Sequence, residues 1–150
     1  MTEGLAKFLA EGRKLRQEMR KHGYFLIVED EPDAAILLQS IVQGKAAKFR
    51  SSTNADEAIA LIKENSADIR CVVIDLHVPD TTGRGGIRLV EYLEEKCTGI
   101  PYVVHSNDRK QAEKIMRKYP RASVLIKGAQ FIEIVSMLGL SNENESENKN

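Results

Sequence analysis

At 150 residues the chain is long enough for one domain with a single sizeable core. Its 22 basic residues balance 22 acidic ones and 42% of its residues are apolar, which argues against bulk electrostatic binding to nucleic acid or membrane, and the absence of Trp excludes an aromatic stacking platform. No apolar run spans a bilayer, the N-terminus lacks a signal-peptide core, and Cys71 and Cys97 have neither metal nor redox spacing, so both read as reduced packing residues of a cytoplasmic protein.

Residues 1–22 differ in pattern from the rest of the chain. Leu5, Phe8, Leu9, Leu15 and Met19 fall near one helical face, interrupted by Gly12, among six basic and three acidic residues. The segment reads as an amphipathic surface helix or linker, with a partner or dimer contact as the alternative.

From Tyr24 the pattern alternates strand and helix. Tyr24–Val28 is the first strand, and Glu31-Pro32-Asp33 opens a helix whose inner face is Ala34, Leu38, Ile41 and Val42, closed by Gly44. Ala47–Ser51 is a second strand. Thr53 or Asn54 caps a helix that buries Ala55, Ala58, Ile59 and Ile62. Cys71-Val-Val-Ile74 reads as a fully buried third strand ending on Asp75, with Pro79 stopping regular pairing. A glycine-rich loop, Asp80–Gly86, leads to a helix with Leu89, Val90, Leu93 and Cys97 inward. Tyr102–His105 is the fourth strand, and Asp108 starts a polar helix burying Ala112, Ile115, Met116 and Tyr119. Ser123–Ile126 is the fifth strand, followed by a short helix, Phe131–Leu138. Residues 141–150 contain only Ser, Asn, Glu and Lys, cannot bury a core, and read as a disordered tail. Five strand–helix units with short connections imply a parallel sheet covered on both faces, over residues 23–140.

In such sheets ligands bind outside the carboxyl ends of the strands. Those ends carry Glu29 and Asp30, Asp75, Ser106 and Lys127. Three carboxylates close together repel one another unless a cation sits among them, and hard oxygen ligands suit Mg²⁺ or Mn²⁺. A hydroxyl and an ammonium beside them suit phosphoryl oxygens, so the set describes an acyl-phosphate site with a carboxylate nucleophile.

Over residues 23–139 the sequence resembles the response-regulator receiver domain of two-component signalling. Val28-Glu29-Asp30-Glu31 resembles the family's acidic pair and Asp75-Leu-His-Val-Pro79 its phosphoacceptor motif, while Ser106 and Lys127 stand at its switch hydroxyl and its lysine. The resemblance implies a flavodoxin-like, doubly wound α/β fold with strand order 2-1-3-4-5. It implies that Asp75 accepts a phosphoryl group from the phosphohistidine of a sensor histidine kinase or phosphotransfer protein. Asp30, Asp75 and the backbone carbonyl of His77 would bind Mg²⁺ directly, Glu29 mostly through water, and Ser106 and Lys127 would contact the phosphoryl oxygens. His77 and Asp108 occupy positions that tune the lifetime of the phosphoryl group. The protein is then no enzyme in the ordinary sense, and with no output domain in the sequence it reads as a stand-alone receiver acting on an unknown output protein.

Three features depart from the family. Gly128 follows Lys127 where the family has a proline behind a cis bond; a cis bond before a non-proline residue costs about 2.5–4 kcal/mol, which predicts a trans or a strained peptide. Val124 replaces the ring that moves inward when the switch hydroxyl engages phosphate. Gly83-Arg84-Gly85-Gly86 lengthens the loop after Asp75, read as a flexible insertion, or else as a means for Arg84 to reach a partner or phosphate. The alternative function is a degenerate receiver serving as a phosphorylation-independent scaffold. A phosphatase reading would want a second Asp where His77 stands, and nucleotide binding would want a Gly-rich loop after the first strand.

Overall fold

The computed structural model describes residues 2–140, without the side chains of residues 12–19. The elements run α1 (Glu3–Arg20), β1 (Tyr24–Val28), α2 (Pro32–Gly44), β2 (Lys48–Ser52), α3 (Ala55–Asn65), β3 (Ile69–Ile74), α4 (Gly85–Lys96), β4 (Tyr102–Ser106), α5 (Arg109–Lys118), β5 (Ser123–Ile126) and α6 (Phe131–Met137). All strand pairs are parallel and the order is β2-β1-β3-β4-β5, so the doubly wound α/β fold is present.

Alternation along each strand sorts the core into two layers. Leu26, Val28, Val72, Ile74, Tyr102 and Val104 face α3, α4 and Ile115 of α5. Phe25, Ile27, Cys71, Val73, Val103 and Leu125 face α2 and α6. Both faces of β1 and β3 are therefore buried, which is why these strands read as unbroken apolar runs. At about 1.5–3 kcal/mol per buried large side chain, the two layers supply most of the driving force for folding.

Local chemistry sets the helix starts. Asn54 Oδ1 accepts the Glu57 N–H at 2.8 Å and Asp108 Oδ1 accepts the Gln111 N–H at 3.1 Å, so the sequence-predicted caps are in place. Pro32 occupies the first turn of α2. Three expectations change. Met116 is half exposed rather than inward, because α5 buries only Ala112 and Ile115. Cys97 lies just past the end of α4 and is only partly buried. Strand β2 runs one residue further along the chain at each end than the sequence suggests.

Helix α1 is tied to the body at its last turn, where Arg20 Nη1 donates to the carbonyls of Ser66 (3.0 Å) and Ile69 (2.7 Å). Leu5, Phe8 and Leu9 are exposed. The expected partners of that stripe, Leu15 and Met19, fall among the side chains not described, and the expected tail 141–150 lies outside the described residues. No helix among the described residues is long and apolar enough to cross a membrane.

Candidate phosphoacceptor site

The strand ladder fixes the site. Asp75 N–H donates to Val28 O, Glu29 N–H to Ser52 O, and Lys127 N–H to Ser106 O, each at 2.9 Å, so backbone pairing carries the ends of all five strands to one edge. There the structure brings together each residue that the sequence singled out. Glu29, Asp30 and Asp75 each offer a carboxylate oxygen within 4.8 Å of the others. Lys127 Nζ lies 3.3 Å from Glu29 Oε1, from Asp75 Oδ2 and from Glu31 Oε2. Ser106 is fully buried beneath, and its Oγ accepts the Asp108 N–H at 3.0 Å. The His77 N–H donates to Asp75 Oδ1 at 3.1 Å, which aims that carboxylate, and His77 Nε2 stands 3.4 Å from Asp108 Oδ2 on the rim.

Crowding of negative charge in a place sheltered from water shows in Glu29. Burial, then the hydrogen bond and the charge of Asp75, push its carboxyl up to about 7. Burial works against the charge of Lys127, but Asp75 and Glu29 outweigh it and hold the ammonium above its ordinary range. Glu29 Oε2 is buried with no hydrogen-bond partner, although Oε1 accepts the Glu31 N–H at 3.1 Å. An orphaned carboxylate oxygen beside two further carboxylates is what a hard divalent cation would satisfy, so the donor set fits Mg²⁺.

Close backbone packing under Asp75 is part of the same construction. A Cβ on Gly86 would lie 2.4 Å from the Asp75 carbonyl oxygen, and one on Gly85 1.9 Å from that of Val78. Hydrogen bonds tie down the loop between β3 and α4, whose glycines suggest a flexible insertion. Arg88 Nη1 bridges Asp56 Oδ1 (2.6 Å) and Asp80 Oδ2 (3.0 Å), and Asp80 Oδ1 accepts the N–H groups of Thr82 (3.1 Å) and Arg84 (3.0 Å). Arg84 itself pairs with Glu91. The Lys127–Gly128 peptide is trans, and Gly128 takes φ +92°, a conformation that favours glycine. Val124 pairs with Val104 and is half-buried against the α3–α4 layer.

Three contributors are not legible from residue type alone. Glu31 is given no role at the site by the sequence, where it stands in the acidic motif and opens a helix, yet it reaches Lys127. The Asp56–Arg88–Asp80 clamp joins residues up to 32 apart in the chain, and no short spacing signals it. His105 is buried on the opposite side of β4 from Ser106; its Nδ1 has no partner, and burial, then the charge of Lys127, hold it below its ordinary pKa. Its place immediately before the hydroxyl is the available signal.

Comparison with known proteins agrees with this geometry. The sequence profile of the response regulator receiver domain matches residues 25–138. No curated protein matches the chain. Among solved structures, the signal receiver domain of an HD domain-containing protein from Pseudomonas fluorescens Pf-5 is similar, with TM-score 0.69 and 16% identity over 84% of this chain and 98% of that one. A CheY-like response regulator receiver domain protein from Methanospirillum hungatei JF-1 gives TM-score 0.68 and 16% identity over 85% and 98%. NtrX from Brucella abortus gives 0.67 and 20% over 83% of this chain but only 28% of its own, so there the fold is one part of a longer protein. At these identities the structures speak for the fold, and the profile, which spans most of the chain, for the family: the chain belongs to the response regulator receiver domains of two-component signalling.

Proposed function

We propose that Asp75 is the phosphoacceptor of a Mg²⁺-dependent receiver, charged by the phosphohistidine of a sensor histidine kinase or a phosphotransfer protein and read out by a protein partner. The observation that carries this is the meeting of Asp75 with Lys127, Glu29 and Asp30 at one strand edge. An Asp75 carboxylate oxygen would attack phosphorus, forming a P–O bond as the P–N bond of the phosphohistidine breaks and the donor imidazole keeps the electron pair. Glu29, Asp30 and Asp75, with the His77 carbonyl, would hold the cation; when bound it supplies positive charge to the phosphoryl oxygens. Lys127, already drawn to Asp75, would pair with a phosphoryl oxygen, and Ser106, whose Oγ accepts the Asp108 N–H, would donate its own proton to another.

His77 and Asp108 frame the approach to Asp75, and their contact supports a role in admitting or excluding the water that hydrolyses the acyl phosphate. Residues 23–140 would form the receiver unit, with residues 1–22 as a separate helix available for a dimer contact. A cytoplasmic setting accords with this reading. Val124 and the trans Lys127–Gly128 peptide favour a second reading, a receiver that serves as a scaffold without phosphorylation, since the ring that usually reports the switch is missing.

Intact mass after incubation with acetyl phosphate and Mg²⁺ separates the two. A metal-dependent phosphoryl adduct on wild type and none on Asp75→Asn is expected. No adduct, together with no binding of Mg²⁺ by the wild-type protein, would establish the scaffold instead.

A further inference from the structure

Among the described residues nothing covers the first half of α1. Every residue from 2 to 11 is exposed, Leu5, Phe8 and Leu9 among them, and Phe8 by 70%. Most helical stability in proteins comes from packing of an apolar face rather than from the helix's own hydrogen bonds, and a glycine inside a helix costs about 1 kcal/mol relative to alanine. An 18-residue helix interrupted by Gly12 therefore needs a surface to pack on.

The spacing of its sequence says which surface. Leu5, Phe8, Gly12, Leu15 and Met19 follow one another at intervals of 3, 4, 3 and 4 residues, the alternation of a and d positions in a heptad. In that frame Glu11 and Glu18 take g positions, and Leu9 and Arg16 take e positions, so one flank of the seam is acidic and the other apolar and basic. Two such helices side by side in parallel set the g flank of each against the e flank of the other, one heptad on. Glu11 then stands opposite Arg16 of the second copy. Gly4, at which an added Cβ would meet nothing within 4 Å, leaves room for the second copy's Leu9. An antiparallel pair would set acid against acid and base against base. The anchor to the body leaves the seam free, because Arg20 follows Met19 and lies about 100° around the helix from it. The joint to β1 is short and held: Gly23 N–H donates to Arg20 O at 3.0 Å, Arg70 Nη1 to Lys21 O at 3.4 Å, and a Cβ on Gly23 would lie 2.4 Å from the Asp68 carbonyl oxygen. Pairing of α1 would thus join two bodies without a loose linker.

We propose that α1 is a dimerisation helix, which pairs with α1 of a second copy of this chain as a parallel, in-register, two-stranded coiled coil with Glu11 opposite Arg16 on both sides of the seam. Gly12 at an a position leaves the middle of the seam unfilled, so the dimer is weak and forms according to concentration. The inference gives a form to the dimer contact named above, and it holds or fails independently of phosphorylation at Asp75, since none of its residues belongs to that site.

Analytical ultracentrifugation of the full chain in EDTA, with no phosphoryl donor, tests this. Wild type is expected to show a monomer–dimer equilibrium that shifts with concentration. Phe8→Glu, which would place two like charges in the seam, should raise the dimer Kd at least about tenfold. Gly12→Ile, which fills the gap and removes the glycine penalty, should lower it at least about tenfold. Glu11→Arg and Arg16→Glu should each weaken the dimer about threefold, and the two together in one chain should restore it, because only a parallel pair sets these positions against each other. The proposal fails if Phe8→Glu and Gly12→Ile associate as wild type does, whether that is as a monomer or as a dimer made by another face. Failure of the double charge swap to restore pairing would overturn the parallel register. Binding of wild type to phosphatidylserine vesicles, lost in Phe8→Glu and with no self-association in solution, would assign the face to a membrane surface instead.

Discussion

The two ends of the sheet are opposites. Where the strands finish, three carboxylates and one lysine crowd together, one carboxylate oxygen is left without a partner, and glycines let backbone pack against backbone. Where the strands begin, arginines dominate, their donors are taken by carbonyls, and a cavity stays open between them. The same parallel topology produces both. Every strand delivers its last residue to one edge and receives its chain from a helix end at the other, so each edge collects residues distant in sequence. What differs is tolerance: the first edge is overdetermined by close contacts, and the second has room.

That difference is most directly broken with glycine. Gly85→Ala places a Cβ 1.9 Å from the Val78 carbonyl oxygen at φ +52°, whereas Gly99→Ala meets only the flexible end of Arg20 at 3.7 Å. Urea denaturation should show a loss of about 3 kcal/mol for the first and under about 0.5 kcal/mol for the second. Equal costs would mean that the phosphoacceptor edge is no tighter than its opposite.

The next contrast is in pH. The Glu29 carboxyl is raised to about 7 in the folded protein, so between about 4.5 and 7 the folded chain binds more protons than the unfolded one, and stability falls as pH rises through that window. His105, held low in the folded state, acts oppositely: its contribution is present above its unfolded value and is lost as pH falls. The difference between wild type and Glu29→Gln isolates the first effect, on the order of 2 kcal/mol across the window in metal-free buffer. A flat difference would mean that Glu29 is not under electrostatic stress. On the proposed function Mg²⁺ would relieve the same stress, so metal at ten times its Kd should add about 1.4 kcal/mol above pH 7, and EDTA should remove it. Asp75→Asn should blunt this gain, whereas Lys21→Glu should leave it intact.

Much of this was legible because it is periodic or local. Apolar runs marked β1, β3 and β4 since both of their faces are covered, and Asn54, Asp108 and Pro32 marked helix starts through chemistry that needs only neighbours. The residues of the candidate phosphoacceptor site were visible because each ends a strand. Met116 was misplaced because a strongly polar α5 buries so narrow a stripe that one step around the helix reaches solvent. The distal cations and the Asp80 clamp were invisible for a common reason: they depend on which segments meet in space, and a guanidinium that binds carbonyls leaves no pattern in the sequence.

The smallest expected effect concerns the loop after Asp75, where composition and structure disagree. Asp80 is its hub, accepting the N–H groups of Thr82 and Arg84, the Thr82 hydroxyl (2.6 Å) and the Arg88 guanidinium, and these bonds, that of the Thr82 hydroxyl foremost, hold its carboxyl well below the usual carboxylate range. Arg84, by contrast, contributes an exposed ion pair with Glu91, a kind of contact that solvent largely screens. Its backbone N–H, which the loop does use, survives any substitution except proline. Arg84→Ala should therefore leave both the melting temperature and amide exchange over residues 82–86 unchanged, while Asp80→Ala should accelerate that exchange. If Arg84→Ala alone freed the loop, the ion pair rather than the Asp80 hub would be holding it. The candidate phosphoacceptor edge would then owe part of its rigidity to an exposed ion pair.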